Sequence, residues 1–181
     1  PVSGVAKRVV SLMFLVAMID SYDQSALAFA APSLVKQWHI TGPAMGPVFS
    51  AQMLGMMLGA IGFGYAGDRI GRKFAVIVGL FLFGVLSLAT ILMESVTGLV
   101  VLRFLVGLGV GGVMPGAVAL SNEFFPRSQQ IFAVTLMYIG YVCGGAGGGV
   151  IAAWLIPHYG WQILFIVGGL VPLVVAALLV V

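Results

Sequence analysis

The stretch Gly64-Tyr-Ala-Gly-Asp-Arg-Ile-Gly-Arg-Lys73 lies between two long apolar runs, at about 45–66 and 74–93. Each run is long enough to cross the ~30 Å hydrocarbon core of a bilayer as a helix. In a turn this short, Gly71 can adopt a positive φ, and Asp68 can either cap the next helix or pair with a base. The stretch therefore predicts two membrane-spanning helices joined by a tight, charged turn.

The composition of the whole chain agrees with a membrane protein. Its 181 residues are 61% hydrophobic and 7% charged, whereas soluble domains have about 25% charged residues. The net charge of +3 does not indicate a nucleic-acid partner, because the basic residues lie in short turns. The single cysteine, Cys143, lies in an apolar run and excludes an intrachain disulfide. We predict no metal site.

Six apolar segments follow one another along the chain, and none shows the alternation of a strand. They lie at about 9–31, 45–66, 74–93, 98–120, 131–155 and 161–181. We therefore predict an all-α, polytopic membrane protein in which residues 1–181 form one bundle of six transmembrane helices. The start at Pro1 and the stop within an apolar run suggest a piece of a longer protein.

The distribution of basic residues predicts the orientation of the bundle. Six fall on one side, which we expect to be cytoplasmic together with the N-terminus, and one falls on the other. The six are Lys7, Arg8, Arg69, Arg72, Lys73 and Arg127, and the one is Lys36. The aromatic side chains Trp38, Trp154, Tyr159 and Trp161 fall near the second side, as an interfacial belt would.

Two aspartates, Asp20 and Asp23, lie in the middle of the first segment. A spacing of three residues places both on one face of a helix. Because charge near the bilayer midplane is costly, the pair is a candidate functional site. Desolvation and mutual repulsion disfavour ionisation of both acids, so we expect the pair to bind a proton. The alternative is a structural polar pair bound to the backbone or to Gln24.

Arg103 is the second charge within the apolar segments. It either snorkels to the nearer membrane surface or faces inward, towards the two aspartates or a substrate carboxylate. Glycines in the fourth and fifth segments predict close helix packing, and they include Gly107, Gly111, Gly144 and Gly148.

A weak internal repeat divides the chain near its middle. Gly71 precedes Ile77-Val78-Gly79 by the same interval at which Gly160 precedes Ile166-Val167-Gly168. This predicts two three-helix units related by inverted topology, in which the first and fourth segments are equivalent.

The turn at 64–73 resembles the signature loop of the major facilitator superfamily, G-x-x-x-D-R-x-G-R-R/K, at every fixed position. Arg103 and Gly107 are similar to its R-x-x-x-G motif. Three stretches look like the aromatic acid:proton symporter family: Asp20 to Pro32, Pro115 to Pro126, and Ala152 to Trp161. The family's D-G-x-D motif is matched by both acids, but Ser21 replaces its glycine.

The resemblance implies the N-terminal half of a transporter that takes up small aromatic carboxylates, such as hydroxybenzoates, across a bacterial inner membrane. Protons would be the coupling ion, with no other cofactor, and membrane lipids and a C-terminal six-helix half would be the partners. Asp20 and Asp23 would couple to protons, and Arg103 and Gln24 would bind substrate. The loop residues Gly64, Asp68, Arg69, Gly71, Arg72 and Lys73 would govern conformational exchange.

Three other interpretations compete with this one. If the chain resembled an intramembrane aspartyl protease, both acids would act as a catalytic dyad. In that class of enzyme, however, the two acids lie on separate helices. An inactive fragment or half-transporter would need a second six-helix bundle. A carrier of the same superfamily could also transport another organic anion.

Overall fold

The computed structural model of the chain describes residues 4–180, with side chains from Arg8 onward. The predicted bundle also included residues 1–3 and 181, which lie outside the described residues. The side chain of Lys7, which contributed to the predicted orientation, lies outside the described side chains. Within residues 4–180 there are seven α-helices, two short 3-10 turns and no strand. The predicted all-α class is therefore confirmed.

The helices follow the order of the predicted segments. They are α1 (Gly4–Gln37), α2 (Gly46–Ile70), α3 (Arg72–Ala89), α4 (Val96–Gly111), α5 (Val113–Phe124), α6 (Arg127–Tyr159) and α7 (Gln162–Val180). The 3-10 turns precede α2, at Gly42–Met45, and follow α3, at Thr90–Leu92. Most helices extend several residues beyond the apolar segments, because polar residues at a membrane surface can continue a helix.

The fourth predicted segment, 98–120, is not one continuous helix but the pair α4 and α5. The break lies at Gly112. Pro115 has no N–H group, so the carbonyl of Gly111, four residues earlier, loses its helical partner. Gly112 then accepts from the N–H of Gly116 at 3.1 Å, which starts the second helix.

Five helical stretches within residues 4–180 are long and apolar enough to cross a membrane. They are Gly42–Ile70, Arg72–Leu92, Val96–Phe124, Arg127–Tyr159 and Gln162–Val180. Helix α1, with 34 residues, is also long enough to cross. It is less apolar than these five stretches because the polar residues of 20–24 lie near its centre. The α4–α5 pair therefore acts as one crossing.

The pairing of helices shows the two predicted three-helix repeats. The most extensive contacts are those of α1 with α6, of α2 with α4, and of α3 with α7. The inverted repeat relates α1 to α4, α2 to α6, and α3 to α7. It therefore relates the α1–α6 contact to the α4–α2 contact and leaves the α3–α7 contact unchanged, as the packing shows.

Two glycines mark equivalent turns in these repeats. Gly71 has a φ of 103° and Gly160 has a φ of 77°, and they are the only positive-φ glycines among the described residues. Gly71 immediately precedes α3, and Gly160 lies two residues before the start of α7; these are the third helices of the two units. A left-handed conformation favours glycine because other residues have a Cβ that clashes there.

Glycines also lie where helix backbones touch. A Cβ at Gly144 would meet the backbone of Met18 on α1, and a Cβ at Gly111 would meet the backbone of Met56 on α2. Gly107 lies in the same way against Gln52. The fourth predicted packing glycine, Gly148, faces the ring of Tyr22, where an added Cβ would lie 3.2 Å from Cδ2.

The core divides into two large apolar clusters along the length of the bundle. One contains Met13, Leu80 and Val110, and the other contains Leu27, Leu99 and Leu164. Trp161 closes the second cluster's end, where it donates to Gln37 at 2.7 Å. The polar residues described next are buried between the two clusters.

A buried ion pair and its surroundings as the candidate functional site

Asp23 on α1 and Arg103 on α4 form a buried ion pair. The Nη1 atom of Arg103 lies 3.3 Å from both Oδ1 and Oδ2 of Asp23. Arg103 is 0% exposed and Asp23 is 1% exposed. The predicted inward position of Arg103 is therefore what the structure shows, and the snorkelling alternative is excluded.

Side chains from α2, from α3 and from the 3-10 turn after α3 complete the hydrogen-bonding shell around this pair. Gln52 Nε2 donates to Asp23 Oδ2 at 3.2 Å, and Ser87 Oγ donates to Oδ1 at 3.4 Å. Arg103 Nη2 donates to Thr90 Oγ1 at 2.9 Å. The site thus draws on four helical crossings, and every hydrogen bond received by Asp23 suits its ionised form.

The ring of Phe165 on α7 supports the guanidinium of Arg103 from another side. The guanidinium carbon lies 4.4 Å from the ring centroid, within the range of a cation–π interaction. The Nε atom of Arg103 has no hydrogen-bond partner among the described residues. The Nε–H donor of this buried cation is therefore unused.

Asp20 lies in a separate environment, contrary to the expectation that both acids face Arg103. Gln24 Nε2 donates to Asp20 Oδ1 at 3.2 Å, and Tyr141 on α6 donates to Gln24 Oε1 at 3.3 Å. No ion pair of Asp20 occurs among the described side chains. Three residues of helix turn one acid 60° away from the other, which is enough to separate their partners.

Sequence reasoning missed four members of the site: Gln52, Ser87, Thr90 and Phe165. A usable signal existed for the first three, because each is one of the few polar residues inside an apolar run. No such signal marks Phe165, which is one of 12 phenylalanines in the chain.

The signature turn lies at the end of the bundle where Arg8, Lys73 and Phe124 line one groove. Arg72 lies 3.6 Å from Asp68 and 3.5 Å from Glu123 at the end of α5. Asp68 therefore pairs with a base rather than capping α3, whose N-terminal cap is Gly71. Exposed ion pairs of this kind contribute at most about 1 kcal/mol to stability, so they add little to the stability of the fold.

The other four predicted residues of the turn, Gly64, Arg69, Gly71 and Lys73, are all exposed. Arg69 stacks over the ring of Tyr65 at 4.4 Å. An added Cβ at Gly64 would meet no atom within 4 Å.

Comparison with known proteins decides the family. Residues 13–181 match the pattern of the Major Facilitator Superfamily. The chain belongs to this superfamily. It is accordingly an integral membrane protein.

Curated relatives within the superfamily cover nearly the whole chain. The 4-hydroxybenzoate transporter PcaK of Pseudomonas aeruginosa is 44% identical over 179 residues, which are 99% of this chain and 40% of that protein. A gallate transporter of Pseudomonas putida is 37% identical over 99% of this chain and 40% of its own length. The chain thus spans about 40% of the length of these relatives. Both are named as transporters, in agreement with the interpretation that the chain is not an enzyme.

Solved structures show the same fold. A bacterial homologue of the lysosomal transporter Spinster, in an inward-facing conformation, superposes with a TM-score of 0.86 at 17% identity, over 99% of this chain and 43% of that chain. The xylose transporter XylE of Escherichia coli, in its inward-open conformation, gives a TM-score of 0.80 at 18% identity, over 97% of this chain and 48% of that chain. At these identities the likeness concerns the fold alone.

Proposed function

We propose that this chain is the N-terminal half of a proton-coupled transporter that takes up small aromatic carboxylates by alternating access. The observation that carries the proposal is the Asp23–Arg103 ion pair, which joins α1 and α4, the equivalent helices of the two repeats. A transporter of this superfamily builds its central site between two six-helix halves. The span of about 40% of the relatives' length supports a second half beyond this one.

The substrate class is supported by the relatives. They are named for 4-hydroxybenzoate, gallate and benzoate, which are all small aromatic carboxylates. An anionic substrate needs a cation in the site, and Arg103 is the one buried cation among the described side chains. Gln24, partly exposed beside Asp20, is a further group for the substrate.

The partners of Asp23 support proton coupling at this residue. In the ionised state Asp23 neutralises Arg103, and the guanidinium is held by two residues, Asp23 and Thr90. A proton on Asp23 removes the charge that opposes the guanidinium. Arg103 then offers its positive charge, and its unused Nε donor, to the substrate carboxylate. Substrate and proton therefore bind together: the proton on Asp23 frees Arg103 for the substrate carboxylate, and that carboxylate replaces the counter-charge that Arg103 has lost.

Asp20 is the second proposed proton site. It is 4% exposed and accepts from Gln24, which is linked to Tyr141. A proton on Asp20 changes what Gln24 can offer to a ligand, since the amide can exchange its donor and acceptor ends. The proton is the only coupling ion in this proposal, and no cofactor takes part.

The signature turn governs exchange between conformations in this proposal. Arg72 connects the α2–α3 turn to Glu123 at the end of α5, so a movement between these parts must break an ion pair. We place this end and the N-terminus in the cytoplasm of a bacterium, at its inner membrane, because it carries most of the basic residues. Membrane lipids surround the outward faces of the bundle.

The test is uptake by the full-length transporter that contains this chain, reconstituted into liposomes with an imposed proton gradient. Labelled 4-hydroxybenzoate should accumulate with the wild type, and Asp23→Asn should lower gradient-driven uptake at least tenfold, because the amide cannot release a proton. Glu94→Gln, at an exposed acid without an ion pair among the described side chains, should transport like the wild type. Normal accumulation by Asp23→Asn would overturn proton coupling at this site.

The same assay separates the other candidates. Uptake of a non-aromatic organic anion, with none of hydroxybenzoates, would make the protein a carrier of another substrate class. If this chain alone catalyses the full uptake, the need for a second half is wrong.

A further inference from the structure

An open groove lies between α1 and α2. These helices make almost no contact with each other, because α1 packs on α6 and α2 packs on α4. The groove is open on one side and has a cavity volume of about 240 Å³, just below the usual range of small-molecule sites. Its lining residues are Gln24, Ala28, Phe49, Gln52, Met53 and Met56.

Gln52 is an unusual member of this lining. It is 4% exposed, and its Nε2 atom is engaged by Asp23 Oδ2 at 3.2 Å. An ionised carboxylate only accepts hydrogen bonds, so the nitrogen end of the amide must face Asp23. The other end, Oε1, is buried and has no hydrogen-bond partner among the described residues. A buried, unpaired acceptor is unfavourable until a donor reaches it.

We infer that Gln52 is a specificity residue that accepts a hydrogen bond from a hydroxyl group on the substrate's ring. Hydroxylated aromatic carboxylates expose two kinds of polar group, a carboxylate and a ring hydroxyl. A carboxylate cannot donate to Gln52 Oε1, whereas a ring hydroxyl can. The ring itself packs on the apolar side chains of Phe49, Met53 and Met56. The groove therefore favours hydroxylated aromatic acids over the unsubstituted acid.

This inference rests on the proposed function, and it explains a selectivity that the ion pair alone does not provide. Arg103 and Asp23 act on the carboxylate and the proton, which hydroxylated and unsubstituted acids share. Only a group that meets the ring substituent can separate the two substrates.

The test compares benzoate with the three monohydroxybenzoates as competitors for uptake by the full-length transporter. For the wild type, the best hydroxybenzoate should compete about tenfold better than benzoate, as expected for a hydrogen bond to an otherwise unpaired buried group. Gln52→Met, which keeps the length of the side chain and removes the acceptor, should reduce this ratio to within about twofold.

Ser87→Ala is the matched control. Ser87 is buried and donates to the same carboxylate as Gln52, but it does not line the groove. Its loss should weaken all four competitors alike and leave the ratio unchanged. A change of ratio in Ser87→Ala as large as in Gln52→Met would show that Gln52 acts only through Asp23.

Two further results would overturn the inference while leaving the proposed function in place. One is equal competition by benzoate and every hydroxybenzoate in the wild type, which requires no variant. The other is an unchanged preference in Gln52→Met. Failure of the wild type to transport any aromatic acid would instead overturn the proposed function.

Discussion

Arg103 donates through one nitrogen to both carboxylate oxygens of Asp23, at 3.3 Å each, across 80 positions of the chain. The pair is fully enclosed and ties the first helix of one repeat to the first helix of the other. Two charges in this place are costly to bury separately, and each compensates the other. The buried charge of the bundle is therefore balanced only while both groups are charged, and neutralising Asp23 alone leaves Arg103 without its counter-charge.

The two acids of α1 should differ sharply in their effect on stability. Asp23→Asn leaves Arg103 without its counter-charge, so we expect a loss of about 3–5 kcal/mol. Asp20→Asn should change stability by less than about 1 kcal/mol, because an amide oxygen can still accept from Gln24 and no cation is left unpaired. Chemical or thermal unfolding of the full-length transporter in lipid–detergent micelles measures both.

The double variant Asp23→Asn with Arg103→Gln is the control for this prediction. It removes both charges, so it should be more stable than Asp23→Asn alone. Additive losses would show that the two side chains do not stabilise each other, whatever their distance.

Glycine substitutions on α6 should depend on which face of the helix they modify. Gly144→Ala places a methyl group against the backbone of Met18, whereas Gly147→Ala meets no atom within 4 Å. We expect Gly144→Ala to cost about 1–3 kcal/mol through separation of α6 from α1. Gly147→Ala should be neutral or slightly stabilising, because alanine favours a helix. The measurement is the unfolding midpoint of each variant, and equal midpoints would contradict a close contact at position 144.

The ion pairs of the signature turn should affect rates more than affinities. Asp68→Asn and Glu123→Gln each remove one partner of Arg72 at the surface, far from the Asp23–Arg103 pair. We expect several-fold slower uptake by either variant, with equilibrium substrate binding changed less than twofold. Binding to the purified full-length transporter and initial uptake rates provide the two measurements. A variant with normal transport but weakened binding would reverse the proposed role.

Much of the fold follows from the sequence because the bilayer restricts the choices. Each long apolar run had to be a helix, and the repeat around Gly71 and Gly160 pointed to the inverted units. The break at Gly112 was harder to predict from the sequence. Pro115 lacks an N–H group and so disturbs a helix, but this local rule does not fix the residue at which the second helix begins.

The site was predicted in outline but not in its pairing. Charges inside apolar runs are rare, so Asp20, Asp23 and Arg103 stood out at once. Helical spacing puts both acids on one face and does not resolve the 60° between them, which decides that Arg103 meets Asp23 only. The contributions of Gln52 and Phe165 depend on how four separate crossings pack, and local patterns do not record this.

The division of the fourth crossing at Gly112 has a mechanical consequence. Arg103 lies on α4, which packs along α2, whereas Glu123 lies on α5, beyond the break. The two helices of this crossing can therefore change their relative angle at Gly112, which one continuous helix could not do. We expect a displacement of Glu123 by the signature turn to tilt α5 about Gly112. The Asp23–Arg103 pair on the other side of the break would then keep its geometry.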